Sequence, residues 1–306
     1  MIAHDREWHR ERQTGIGGTD VAAILGLDRY RTPLDVWRQK MGLDSEQEPH
    51  PSAEAGKRLE GVIARWWSDD TGLPIKRRRL VARHKDAYCL LGHTDRVIDT
   101  NPRGILEIKN RSERVWQQWP EFSAPASEYY QVQHYLHVLS SKHRGQYHWG
   151  ELAILVGGNK LEKVPLELDP QYEQVIEYLI QWWERHVLGE TPPEPATEDD
   201  VKTLYPVVKG KELEAADYTA EIYEKAKGIK TIIERLQDRH EKLETQLKIA
   251  MRDAEVLTKD GETLATWKKM KDSRTFDMEA FREAHPELYE QYRVPKEGSR
   301  RFIYKA

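Results

Sequence analysis

The stretch Gly104-Ile-Leu-Glu-Ile-Lys-Asn110 constrains the fold more than any other part of the chain. Leu106 and Ile108 alternate with Glu107 and Lys109. Successive side chains of a strand point to opposite faces. The period of two therefore predicts a strand whose apolar pair faces a core while the acid and the amine share the other face. Shortly before it, Gly92-His-Thr-Asp-Arg-Val-Ile98 predicts a second strand with an acid at Asp95. Carboxylates on neighbouring strands suit a hard cation, and a lysine beside them can reach a water that such a cation activates.

Charged residues make up 33% of the chain, so acids close to lysines arise by composition alone. Only two Asp/Glu-x-Lys triplets occur, however, and Asp200-Val-Lys202 follows Pro192-Pro-Glu-Pro195 in an acidic stretch without alternation. The Glu107 triplet alone is framed by alternating apolar residues. Taken by itself it also suits a surface strand carrying a cross-strand ion pair, and the neighbouring blocks weigh between the two.

Three blocks bear on it. In Ala53 to Trp67, Leu59, Val62 or Ile63, and Trp66 recur at helical spacing, with Glu60 at the border of that stripe. In Tyr129-Tyr-Gln-Val-Gln-His-Tyr-Leu-His-Val-Leu139, Val132, Leu136 and Leu139 make a buried stripe, and Gln131 and Tyr135 share another face. Between Trp8 and Gly26, Gly17 and Gly18 precede a Thr19-Asp20 helix start. Free backbone N–H groups there, with Arg12 and Thr19, suit a phosphate.

Together and in this order, the blocks resemble the phage-lambda-type exonucleases, the YqaJ viral recombinase family within the PD-(D/E)XK nuclease superfamily. The resemblance covers roughly residues 1–190 and implies an α/β, restriction-endonuclease-like core, a central mixed sheet flanked by helices. It implies a Mg²⁺-dependent exodeoxyribonuclease, with Mn²⁺ as a substitute, that degrades one strand of linear double-stranded DNA 5′→3′ and leaves 3′ tails for phage-type recombination. Asp95 and Glu107 then take the metal carboxylates with the backbone carbonyl of Ile108, Glu60 the helical acid, Lys109 the catalytic lysine and Gln131 the first Gln of a Gln-x-Gln pair. Arg12 and Thr19 match positions that bind the 5′-phosphate. His93 stands where the lambda-type enzyme has Ser, so it either reshapes that pocket or adds a cation. Asp86 is the nearest counterpart of a further acid. The resemblance also implies a homo-oligomer, a ring such as a trimer, and a single-strand annealing protein as partner. Two other readings stay open: an endonuclease of the same superfamily, and a non-catalytic assembly protein acting through the C-terminal part of the chain.

The 306 residues suffice for an α/β domain plus an extension. The single cysteine, Cys89, cannot form an internal disulfide. No run of about 18 apolar residues occurs, and Met1-Ile-Ala-His-Asp-Arg6 has no secretion-signal pattern. The expectation is a soluble protein of a bacterial host's cytoplasm, without a membrane partner. A net charge of −4 argues against a protein that merely coats DNA. Basic side chains cluster locally instead, at Lys76-Arg-Arg-Arg79 with Arg83, and at Arg111 and Arg114.

Three segments are expected from this patterning: a domain at 1–190, a linker at 191–210 and an extension at 211–306. Strands are expected near 75–83, 88–99, 104–110, 146–157 and 161–168, and helices at 54–71, 128–140 and 171–188. Residues 113–124, with Trp116, Trp119, Pro120 and Phe122, read as a lid. In the extension, Ile222, Ala226, Ile229, Ile233, Leu236, His240, Leu243, Leu247, Ala250 and Ala254 follow strict four–three spacing, the seam of a long coiled-coil helix. A hairpin around Asp260-Gly261, a helix near 278–292 and a strand at 300–304 complete a small α+β cap.

Other patterns have plainer readings. His134 and His137 lack a third partner for zinc. The Trp66-Trp67, Trp116/Trp119 and Trp182-Trp183 pairs read as packing rather than base stacking. Gly15-Ile-Gly-Gly18 lacks the preceding strand and the lysine of an ATP loop.

Overall fold

The structure is a computed structural model that describes residues 10–44, 51–77, 81–119, 124–143, 145–295 and 298–305. Trp8, Arg78, Arg79, Pro120 and Phe122 lie outside the described residues. The chain divides into two compact units, Met1–Val208 and Lys209–Ala306.

The first unit is built on β1 (Ile16–Gly17), α1 (Gly18–Ile24), α2 (Pro33–Lys40), α3 (Pro51–Thr71), β2 (Ile75–Lys76), β3 (Val81–Arg83), β4 (Leu90–His93), β5 (Arg96–Ile98) and β6 (Arg103–Arg111). There follow α4 (Glu113–Trp116), α5 (Ala126–Lys142), β7 (Tyr147–Val156), β8 (Lys160–Glu167), α6 (Glu173–Trp182) and α7 (Glu198–Leu204). A five-stranded mixed sheet runs β2-β5-β6-β7-β8, and a smaller sheet runs β1-β4-β3. β6 and β7 are parallel, with Glu107 beside Leu152. A parallel pair needs a crossover, and here it is α5.

The alternation along β6 sorts the two faces of the sheet. Leu106 and Ile108, with Ala153 and Leu155 of β7, pack on Ile63, Ala64 and Trp67 of α3. Ile105 and Leu152 pack on the other side with Val132, Tyr135 and Leu136 of α5. The face carrying Glu107 is therefore covered as well, and Glu107 is 4% exposed. The alternative of a solvated surface strand does not hold. On α3 the buried row is Ile63, Ala64 and Trp67, while Val62 is exposed. Glu60, three and four residues before Ile63 and Ala64, thus lies in line with the buried row rather than at its border.

Several elements differ from expectation. The run expected at 88–99 is two strands in different sheets, broken at Thr94-Asp95 where the chain passes from one sheet to the other. The helix expected at 171–188 begins with a 3₁₀ turn, Pro170–Tyr172, and ends in a π-helical turn, Trp183–Leu188. The division of the chain falls at Val208, within the expected linker. Part of that acidic stretch is the capped helix α7: Thr197 and Asp200 form a capping box, and Asp200 accepts a hydrogen bond from the Thr32 hydroxyl at 3.0 Å.

The second unit consists of α8 (Asp217–Met251), the hairpin β9 (Val256–Lys259) and β10 (Glu262–Thr266), α9 (Met278–Ala284) and α10 (Pro286–Gln291). Asp260 and Gly261 both have positive φ, as a tight hairpin turn requires. Helix α8 ends at Met251, because Arg252 turns to φ +53°, so Ala254 lies beyond the helix and outside the seam. The helix expected at 278–292 is split at His285-Pro286, since proline has no N–H to continue it. The strand expected at 300–304 is absent. That tail has no regular structure; the Lys305 carbonyl accepts the Tyr223 hydroxyl, and Tyr304 packs by the Tyr223 ring. No described helix is long and apolar enough to cross a membrane.

Candidate active site

Glu107, Lys109 and Gln131 meet where β6 faces α5. Lys109 Nζ donates to Glu107 Oε1 at 2.8 Å and to Gln131 Oε1 at 2.7 Å. Gln131 Nε2 donates to the same Glu107 oxygen at 2.6 Å and contacts the Tyr135 hydroxyl at 3.2 Å. The amide of Gln131 thus fixes acid and amine together. Asp95 sits in the β4–β5 turn, its Oδ2 accepting the Ile108 N–H at 2.8 Å, which brings the second carboxylate to the same strand. Gln133, two residues on, has a structural role: it bonds the Glu167 carbonyl and the Asp169 N–H.

Electrostatics at this point favour an added cation. Burial, then the neighbouring Glu107, pushes Asp95 up to about 8. Burial also raises Glu107, against the pull of Lys109. Glu60 contributes to both shifts, and its carboxylate is held by Arg96, which also donates to the Asp95 carbonyl at 2.6 Å. A half-buried carboxylate whose pKa is raised by a buried acidic neighbour is the environment a divalent cation relieves. Among the described residues, no three His, Cys, Asp or Glu side chains converge as a complete metal set. Asp95 and Glu107 could offer two oxygen ligands to a hard cation, whose shell a backbone oxygen such as that of Ile108 and waters would then complete.

The N-terminal block forms a second constellation. Asp20 is fully buried and bonds Lys40 Nζ at 2.6 Å, Arg12 Nη2 at 3.0 Å, Arg31 Nη1 at 3.1 Å and the Gly17 N–H at 3.1 Å. Burial works to raise its pKa, but Lys40, Arg12 and Arg31 together hold it well below the usual carboxylate range. Arg12 also donates to the Thr19 hydroxyl at 2.8 Å, so the two residues expected at a phosphate are in contact. Three cationic side chains thus meet at one carboxylate. His93 adds no further cation: burial, then Arg12 and Lys40, pushes it down to about 4, and its buried Nε2 has no hydrogen-bond partner among the described residues. The two constellations adjoin because Gly18 lies directly on α5. A Cβ there would meet the Tyr135 ring at 2.7 Å and the Gln131 carbonyl at 2.9 Å.

Other candidates are used in structure. His134 is buried between Tyr172 and the carbonyls of Ile16 and Leu91, and His137 bonds the Asp169 carbonyl. Trp67 is buried with its indole on Glu151; Trp116 and Trp119 pack on each other at 5.1 Å, and Trp182 is in the core. Arg83 bonds Thr14 and covers the Tyr88 ring, Arg111 pairs with Glu128, and Asp86 is exposed. Arg96, Arg31, Lys40 and the anchoring role of Asp20 were not anticipated. The one available signal was the spacing of Gly17 and Asp20, which fits a helix cap.

Residues 7–143 match the YqaJ-like viral recombinase domain. Over 309 aligned positions the chain is 33% identical to the uncharacterized protein YqaJ of Bacillus subtilis strain 168, spanning 98% of this chain and 93% of that protein. The chain belongs to the YqaJ-like viral recombinase family. Among solved structures it is similar to an alkaline exonuclease from Laribacter hongkongensis, at TM-score 0.47 and 14% identity, over 61% of this chain and 94% of that one. It is also similar to a phage-related exonuclease from Haemophilus somnus 129PT, at TM-score 0.43 and 11% identity, over 57% and 96%.

Proposed function

We propose that this protein is a divalent-cation-dependent exodeoxyribonuclease that degrades one strand of linear double-stranded DNA from its 5′ end, leaving 3′ tails for phage-type recombination. The observation that carries this reading is the Asp95–Glu107–Lys109–Gln131 cluster, in which Glu107 and Gln131 are buried and Asp95 and Lys109 half-buried. A structural ion pair needs one acid and one amine; here two acids with raised pKa values share a single lysine. Asp95 and Glu107 would hold Mg²⁺, or Mn²⁺ in its place, with the Ile108 carbonyl. When bound, such an ion stabilises charge on a phosphate oxygen and acidifies a water.

The chain's own groups do the rest. Lys109, fixed by Glu107 and Gln131, keeps a donor for the attacking water and offsets charge that develops at the phosphate. Glu60, anchored on Arg96, supplies a further acceptor for an outer-shell water or a second ion. Arg12 and Thr19 would grip the terminal 5′-phosphate, and the Gly18 contact sets that grip beside Gln131. The family name, viral recombinase, agrees with a role in generating recombinogenic ends.

The test is digestion of linear and covalently closed circular duplexes of one sequence, with Mg²⁺ or with EDTA. Loss of the linear form only, and only with Mg²⁺, is the expected result. Cutting of the circle would replace this reading with an endonuclease, and an inert protein would replace it with an assembly role. Linear duplexes bearing 5′-phosphate should be consumed faster than 5′-hydroxyl ones, and Arg12→Ala should erase most of that difference. Equal rates in the unaltered protein would reject the phosphate grip.

A further inference from the structure

Helix α8 carries its apolar seam in the open. Ile222, Ile229, Ile233, Leu236, Leu243 and Leu247 are between 47% and 60% exposed. A row of large aliphatic side chains facing water marks an interaction surface. Its strict four–three spacing is narrower than the stripe of a helix docked on a globular core and matches the seam between two helices.

The row also indicates which helix covers it. In heptad terms Ala226, Ile233, His240 and Leu247 occupy a positions, and Ile229, Leu236, Leu243 and Ala250 occupy d positions. From Ala226 to Ala250 the spacing reads the same from either end. Laid antiparallel on itself about a twofold axis level with Asp238, the row matches a to d throughout. Ala226 then faces Ala250 of a second copy, Ile229 faces Leu247, Ile233 faces Leu243, and Leu236 faces His240. The one polar member thus meets an aliphatic side chain at the middle of the overlap.

The flanking e and g positions set the direction. In the antiparallel register Lys230 meets Glu244 at both ends; the single like-charge meeting is Arg239 with its own symmetry mate. In a parallel pair Arg239 would meet Glu244 twice, but Lys225 would meet Lys230 twice and cancel the gain. Tyr304 lies by Tyr223 and Lys230 at the e edge, bordering the seam while leaving its aliphatic residues exposed.

We propose that α8 pairs with α8 of a second copy of this chain, antiparallel and centred near Asp238. The pairing is independent of the cleavage reading. An antiparallel pair is twofold symmetric, so it joins copies in even number.

The test uses the full chain. Light scattering at micromolar concentration should give an even assembly, and the double variant Ile233→Glu with Leu243→Glu should halve its mass. Orientation is read by disulfides in a Cys89→Ser background. Under oxidation, a mixture of Ile229→Cys and Leu247→Cys chains should cross-link to each other, and neither variant alone to itself. A monomer, an odd-numbered assembly, a mass unmoved by the two glutamates, or self-linking of each cysteine variant without mixed linking would each overturn the proposal.

Discussion

In the first unit Asp20, Lys40, Glu107, Glu128 and Asp200 are buried, each against named partners, and the large aliphatic side chains of both core clusters are hidden. In the second unit Met251 is the one buried side chain among the described residues, and the aliphatic row of α8 faces water. Its ion pairs are local ones such as Lys242–Asp238 and Lys248–Glu244, one turn apart on an exposed helix. Solvent screens pairs of that kind, so they add little to stability. The first unit buries its apolar and charged groups against one another, and the second leaves its aliphatic row exposed. Charge is correspondingly buried and paired across the fold in one unit and spread along an exposed helix surface in the other.

The largest expected effect separates function from fold inside the first unit. If Glu107 and Asp95 hold the cation as proposed, Glu107→Gln and Asp95→Asn keep the shape but lose the ligands, and the initial rate on linear duplex should fall by about three orders of magnitude or more. Stability should move the other way. The Asp95 carboxyl rises on folding from 3.8 to about 8, so the unfolded chain releases between those values a proton that the folded chain keeps. Without divalent cation, stability therefore falls as pH climbs from about 4 toward 8. Asp95→Asn should flatten that fall and raise the melting temperature at pH 8. An enzyme that stays active with both acids replaced would remove the site from this cluster.

Next comes the contrast between a buried and an exposed carboxylate. Asp20→Ala leaves Lys40, Arg12 and Arg31 facing one another in a buried node, and should cost about 3–5 kcal/mol. Asp238→Ala removes a surface partner of Lys242 and should leave the melting curve unchanged. Chemical denaturation of the two variants checks the difference, and equal effects would erase the distinction between the units. A smaller change follows pH. Asp95 must lose its proton to take a cation, so Mg²⁺ affinity should rise by up to about tenfold per pH unit below 8 and level off above it. Calorimetric titration at pH 6, 7 and 9 reads this directly, and flat affinity would place the cation elsewhere.

How much was legible in the sequence follows from the same contrast. Alternation marked β6, because a two-sided strand writes its period into the chain. Asp95, Glu107 and Lys109 are marked by local patterns and Gln131 by the family resemblance; the fold joins Glu107, Lys109 and Gln131 by hydrogen bonds and ties Asp95 to the Ile108 N–H of the same strand. The seam of α8 was legible for the same reason of strict period, except at Ala254, where a positive φ ends the helix. The Asp20 node was not legible, since Arg12, Arg31 and Lys40 are far apart in the chain and nothing in a single sequence says which charges are buried. Nor was the split of the 88–99 run between two sheets, because hydrogen-bond partners of a strand leave no local mark. The α7 helix was masked by proline and acid density, which signal a linker even where Asp200 caps a helix.

Glycine to alanine should act with opposite sign in the two units. At Gly18 a methyl group would lie 2.7 Å from the Tyr135 ring and 2.9 Å from the Gln131 carbonyl. Gly18→Ala must push α1 off α5, at about 1–3 kcal/mol of overpacking. Because Gln131 holds Glu107 and Lys109 together, the rate should fall along with stability. Gly228 sits in the middle of α8 with nothing within 4 Å of where its Cβ would be. Gly228→Ala restricts the unfolded chain and favours the helix, so it should stabilise the second unit by about 0.5–1 kcal/mol and leave cleavage of short duplexes untouched. Thermal melting followed by circular dichroism, with the initial rate measured on the same preparations, reads both signs. A destabilising Gly228→Ala would mean that this face of α8 is already packed against a partner.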